Sequence, residues 1–168
     1  MQTDPGYLAV LRERYRYAEW SEAAAANSVV QRMESFRGTE LPGWTLRRGT
    51  RTTPFGGVTL VRGIWSASAA GDQGDDRALD VELLVCTNSA AARELLLSML
   101  GDMQGPAATR LSAGSIGDVA FHLGGDSAIM FARANVVVRV RNAGRLVLSV
   151  AKEAAAMDAL VMRGAPGK

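Results

Sequence analysis

His122 and Cys86 are the one histidine and the one cysteine among 168 residues, and that scarcity limits the chemistry open to the chain. Most acid–base, nucleophilic and transition-metal chemistry draws on these two side chains. A metal centre built from several of them cannot form within one chain. Any Ser–His–Asp or Cys–His arrangement would have to pass through His122. In Phe121-His122-Leu123 the histidine faces away from its apolar neighbours, with no Ser or Asp at motif spacing. A polar strand-face residue is therefore the simpler reading than a base or a ligand. Cys86 ends a strand just ahead of a helix cap, where a thiolate can be stabilised. It also shares a face with Leu84, which suits a small buried hydrophobe. A lone cysteine forms no intrachain disulfide.

The arginines come in two groups, Arg47, Arg48, Arg51 and Arg62, then Arg133, Arg139 and Arg141. Together they could present an anion-binding surface. No interleaved aromatics supply a stacking platform for bases, which argues against nucleic acid. Asp80 and Glu82 alternate on a neighbouring strand. If that strand lies beside the one carrying Arg139 and Arg141, cross-strand ion pairs form and the leftover arginines are free to meet an anion. Asp72, Asp75 and Asp76 cluster in a Gly-containing loop, a loose calcium pattern that matches no EF-hand, so a solvated loop is the preferred reading. Neither Gly56-Gly57 nor Gly124-Gly125 is followed by the Lys-Ser/Thr of a phosphate loop. Nothing in these patterns calls for a cofactor. Paired acid–base carboxylates, Asp118 with Glu82 or with Asp126, are an alternative that would need both groups in one cleft.

These residues must be positioned by elements that a chain of this size can build as one domain. Hydrophobic residues make up 48% and charged residues 21%, with a formal net charge of +2, a globular profile that is only mildly basic. Asp4 and Pro5 open a helix, and apolar spacing continues to Phe36 before Gly38 stops it, so residues 1–37 read as one helix or two with a bend near Trp20. Thr45 to Gly57 reads as a short strand and a loop. Val58 to Ser68 and Ala78 to Thr87 read as strands, with Leu79, Val81, Leu83 and Val85 on one face. Thr87 or Asn88 caps a helix from Ser89 to Met103, its inward face made by Ala92, Leu95, Leu96, Met99 and Met103. A linker runs from Gly105 to Gly117. Val119 to Leu123, Ala128 to Ala132 and Asn135 to Arg141 are strands, and a last helix lines Val147, Val150, Ala151, Ala154, Met157 and Val161 along its buried side.

The expected architecture is α+β: a mainly antiparallel sheet with helices packed on one face, a helical N-terminal segment (1–37), and two strand-strand-helix halves (44–103 and 116–163) within a single domain spanning 1–168. No apolar run reaches membrane-spanning length. The polar start Met1–Asp4 carries no signal-peptide pattern. It suits a chain whose signal has been removed, so a periplasmic or secreted location is slightly preferred to a cytoplasmic one.

Ile116-Gly117-Asp118-Val119-Ala120-Phe121 and Phe131-Ala132-Arg133-Ala134-Asn135-Val136-Val137-Val138, followed by an Ala-rich helix, resemble strand patterns ("GD-x-A", "F-x-R-x-N-V-V-V") of bacterial extracytoplasmic domains of unknown function. The resemblance covers about the last third of the chain and brings no catalytic residues. It implies an envelope-associated, non-enzymatic domain. The leading expectation is a binding or accessory domain that recognises a small anionic ligand or a protein partner through Arg133, Arg139, Arg141, Arg47, Arg48 and Arg51, with His122 beside them. A small carboxylate-based hydrolase is one alternative. The other is a homodimeric interaction protein anchored by Trp20, Trp44 and Trp65.

Overall fold

Strand-forming residues in the middle of the chain build two meanders that meet edge to edge. The computed structural model describes residues 5–20, 35–67, 76–103 and 108–163. The first meander holds β1 (Trp44–Phe55), β2 (Val58–Ala67) and β3 (Ala78–Val85). The second holds β4 (Ala108–Arg110), β5 (Val119–Leu123), β6 (Ala128–Arg133) and β7 (Val136–Asn142). Pairing of β3 with β7 joins them into one seven-stranded sheet of order β1-β2-β3-β7-β6-β5-β4, with every neighbouring pair antiparallel. The chain is thus an α+β fold, as expected. Among the described residues three α-helices accompany the sheet: α1 (Pro5–Arg14), α2 (Ser89–Asp102) and α3 (Ala151–Arg163).

The helices do not share one face, contrary to what the sequence leads one to expect. On β7, Val136, Val138 and Val140 join a core with Val150, Ala154, Met157 and Val161 of the α3 region. Val137, between them, joins the opposite core with Ala92, Leu96, Leu97 and Leu100 of α2 and with Leu11 of α1. Successive strand residues point to opposite faces, so β7 is sandwiched. Continuous runs such as Val136-Val137-Val138 are what a strand buried on both sides requires. We call the face under α3 the α3 face and the other the α2 face.

Other sequence expectations shift in detail. Thr45 to Gly57 is one 12-residue strand rather than a short strand and a loop; it is exposed from Arg47 onward, so no apolar alternation marks it. The stretch expected to be a plain linker contains the edge strand β4. Asn88 is the cap of α2, its side chain accepting from the Ala91 N–H at 2.8 Å. Met103 and Val147 are exposed rather than inward. The expected helical stretch from Ser21 to Met33, the Asp4 cap and most of the Gly71–Asp76 loop lie outside the described residues.

Candidate functional site

The arginines fall into two clusters on opposite faces of the sheet. On the α2 face, strand register sets Asp80 opposite Arg141 and Glu82 opposite Arg139, while on the other side Glu82 faces Arg62. Both carboxylates are buried, and each is satisfied. Asp80 accepts from Arg62 Nε and Nη2 at 2.8 and 2.7 Å, from Arg141 Nε at 2.8 Å, and from Arg141 Nη2. Glu82 lies 2.5 Å from Arg139 Nη2 and 3.6 Å from Arg62 Nε. Burial works to raise the Asp80 pKa, but the two guanidiniums beside it outweigh that cost and hold the carboxyl below its ordinary range. The cross-strand ion pairing expected from the sequence is present.

The same face continues onto β1. Arg47 sits where the β1–β2 register shifts, and its Nε donates to Ser66 Oγ at 2.5 Å. Arg48 pairs with Ile64 in register and so points to the face that Arg62 shares. Arg47, Arg48, Arg62, Arg139 and Arg141 therefore line one face against two buried carboxylates. Arg47 and Arg48 are exposed, and among the described residues neither meets a carboxylate. Arg51 belongs to the opposite face of the same strand, in register with Val61.

Arg133 belongs elsewhere. It projects to the α3 face, where Nε and Nη2 grip both oxygens of Asp158 at 2.7 and 2.6 Å and Nη1 reaches Asp118 at 3.1 Å. Asp158 also accepts from the Gly117 N–H at 3.0 Å, and Asp118 from the Ala134 N–H at 2.7 Å. The cluster clamps the loop before β5, the β6–β7 turn and α3 together. The Gly117-Asp118 and Arg133-Ala134-Asn135 pieces of the sequence pattern are its parts. Gly117 has φ 63° and its Cα hydrogens face the Ala132 carbonyl, where a Cβ would come to 2.7 Å. Sequence reasoning missed Asp158, though a signal existed. It occupies the i+4 position of the stripe Ala154, Met157, Asp158, Val161, all buried, and a charge on a buried helical stripe demands a buried partner.

The remaining candidates are dispersed. His122 Nδ1 lies 3.0 Å from Asp126 Oδ1 at the β5–β6 turn, on the α3 face and away from the arginine strip. Cys86 is buried, and burial pushes its thiol up to about 11, which suits packing rather than reactivity. Of the calcium candidates, Asp72 and Asp75 lie outside the described residues, and Asp76 stands 3.9 Å from Arg145. Among the described residues no group of three or more His, Cys, Asp or Glu side chains converges to hold a metal. Asp118 and Glu82 sit on opposite faces, each engaged by arginine. Asp118 and Asp126 flank the two ends of β5, which at about 3.3 Å per residue separates them by well over 10 Å. Trp20 and Trp65 are buried in the two cores, and Trp44 packs against one of them and donates through Nε1 to Glu153 at 3.0 Å, so all three proposed aromatic anchors are already engaged inside the chain.

The class defined by these observations is an α+β fold with a helix-covered antiparallel sheet and an arginine-bearing strip across β1, β2, β3 and β7. Comparison with known proteins adds no relative: no family profile, no curated protein and no solved structure matches the chain. Among the described residues, no helix is long and apolar enough to cross a membrane.

Proposed function

We propose that the protein is a non-catalytic binding module that recognises an anionic ligand or an acidic protein surface through the α2 face of β1, β2, β3 and β7. One observation carries this reading. Five arginines share that strip with two carboxylates that are already saturated, and Arg47 and Arg48 project from it exposed. Planar guanidiniums in fixed positions suit bidentate contact with carboxylate or phosphate oxygens. Arg62 and Arg141, held by Asp80, are each a little over 40% exposed, so they can offer their outer N–H groups without losing the inner ion pair. Arg139 is more deeply set and serves mainly to neutralise Glu82.

The test is a thermal-shift titration with inorganic polyphosphate, heparin and citrate on the full chain and on an Arg47→Ala/Arg48→Ala variant. A ligand at one hundred times its dissociation constant adds about 2.7 kcal/mol to stability, a shift of several degrees for a domain of this size. The expected result is a shift in the parent chain that the double variant loses, with the unliganded midpoint lowered only by the lost hydrogen bond to the buried Ser66 hydroxyl. Equal shifts in both, or none with any polyanion, would overturn the reading.

A further inference from the structure

We propose that the free edge of β1 is a docking strand for an extended acidic segment of a partner protein, which adds to the sheet beside Arg48–Thr52. The inference rests on the arginine-face reading and narrows it to one partner class and one binding mode. β1 ends the sheet, and among the described residues no strand lies beyond it. The other edge, β4, is only three residues long. β1 spans 12 residues and is exposed without interruption from Arg47 to Phe55. An edge strand turns the N–H and C=O groups of alternate residues outward, where an added strand can pair with them.

The pairing of β1 with β2 is irregular between Leu46 and Arg48 and again between Thr52 and Phe55, and regular from Arg48 to Thr52. Two irregularities thus bound a regularly paired stretch, Arg48 to Thr52. Arg48, Thr50 and Thr52 point to the α2 face, and Gly49 and Arg51 to the α3 face. The charge of the stretch selects the occupant. Between Glu40 and Asp72 the chain has no Asp or Glu, against four arginines. A second copy laid along β1 would bring together two arginine-bearing stretches with no carboxylate between them, and like charges close to one another across a ladder are destabilising. Nucleic acid would use the charge but not the outward peptide groups. An acidic strand satisfies both. Arg48 and Arg51 lie three residues apart on opposite faces, so the fitting segment carries acidic residues three apart, one per face, with β-branched residues between them.

The test uses ten-residue peptides of Val and Thr with two Glu three positions apart, measured by fluorescence anisotropy against the full chain. Three relatives accompany the parent peptide: one N-methylated on the odd residues, one on the even residues, and one with Lys replacing Glu. Strand addition engages one set of peptide N–H groups and leaves the other in solvent. One methylated peptide is therefore expected to bind at least tenfold more weakly and the other like the parent. The Lys peptide should not bind, and an Arg48→Glu/Arg51→Glu variant should lose at least tenfold. If both methylated peptides bind like the parent, charge alone is at work; strand docking is then overturned while the arginine face stands. If the acidic peptide fails but polyanions still produce shifts that depend on Arg47 and Arg48, the docking inference alone falls; silence in both experiments overturns both. Self-association that Arg51→Glu abolishes, or tighter binding of a ten-nucleotide single strand than of the acidic peptide, would also overturn it.

Discussion

Arg133 is gripped by two carboxylates, and Asp80 by two guanidiniums. The two centres have opposite charge balance and different expected behaviour. Removing Arg133 leaves Asp118 and Asp158 facing each other with little solvent, since their side chains are 16% and 13% exposed. Arg133→Ala should cost about 3–5 kcal/mol, the usual penalty for breaking a buried pair from one side, read from urea denaturation. Arg133→Lys should recover only part of that, because an ammonium cannot span both oxygens of Asp158 while reaching Asp118. A loss under 1 kcal/mol for Arg133→Ala would show that the clamp is not holding α3 to the sheet. For Asp80 the effect appears in pH. Its carboxyl titrates lower in the folded chain than in the unfolded one, so folding releases protons. The stabilisation is complete above the unfolded value and is lost as pH falls through the folded value, a window that opens below about pH 4. Asp80→Asn should lower stability at neutral pH and flatten the acid limb of a denaturation midpoint followed from pH 7 to pH 2. Parallel limbs in the two proteins would contradict the coupling.

At the scale of elements, the β6–β7 hairpin turns on Ala134 and Asn135, with Ala134 at φ 49°. An L-residue with a Cβ is strained there, and glycine is the favoured occupant of such a turn position. Ala134 tolerates it because its N–H is fixed by Asp118 and because Asn135 Nδ2 donates to the Cys86 carbonyl at 2.8 Å. Ala134→Gly should therefore raise stability by about 0.5–1 kcal/mol, with unchanged circular dichroism. A decrease would mean that strain at this position is smaller than the added freedom of the unfolded chain. The junction between these two strands carries little local signal: an alanine gives no turn signal, and the conformation is imposed by hydrogen bonds from residues far along the chain. β1 was hidden for a related reason. Its register comes from β2, not from its own apolar pattern, because an exposed edge strand needs none.

Across the whole molecule, the two cores lie on opposite sides of the sheet, and a helix-bearing layer stabilises each independently. Leu96 of α2 and Met157 of α3 are both fully buried. Each substitution to alanine should cost about 2–5 kcal/mol. The double variant should show the sum to within about 0.5 kcal/mol, since the sites share no partner and the sheet stands between them. A departure from additivity larger than 1 kcal/mol, measured by chemical denaturation, would show that the two cores communicate through the sheet. Much of this molecule can be read from the residue order alone. The strands β2, β3, β5, β6 and β7, the cap at Asn88, the shared face of Leu79, Val81, Leu83 and Val85, the α+β class and the scarcity of His and Cys chemistry all follow from local pattern. Local pattern also ties Asp80 and Glu82 to the face of Arg139 and Arg141, once those strands are neighbours. Tertiary structure alone decided that both faces of β7 are covered, that Arg133 leaves the other arginines to meet Asp158, and that β1 ends the sheet among the described residues. Alternation reports which residues share a face, and nothing in it reports what packs against that face. That depends on which strands become neighbours and where a helix twenty or more residues away comes to rest, contacts set by the free energy of the assembled core rather than by any single segment.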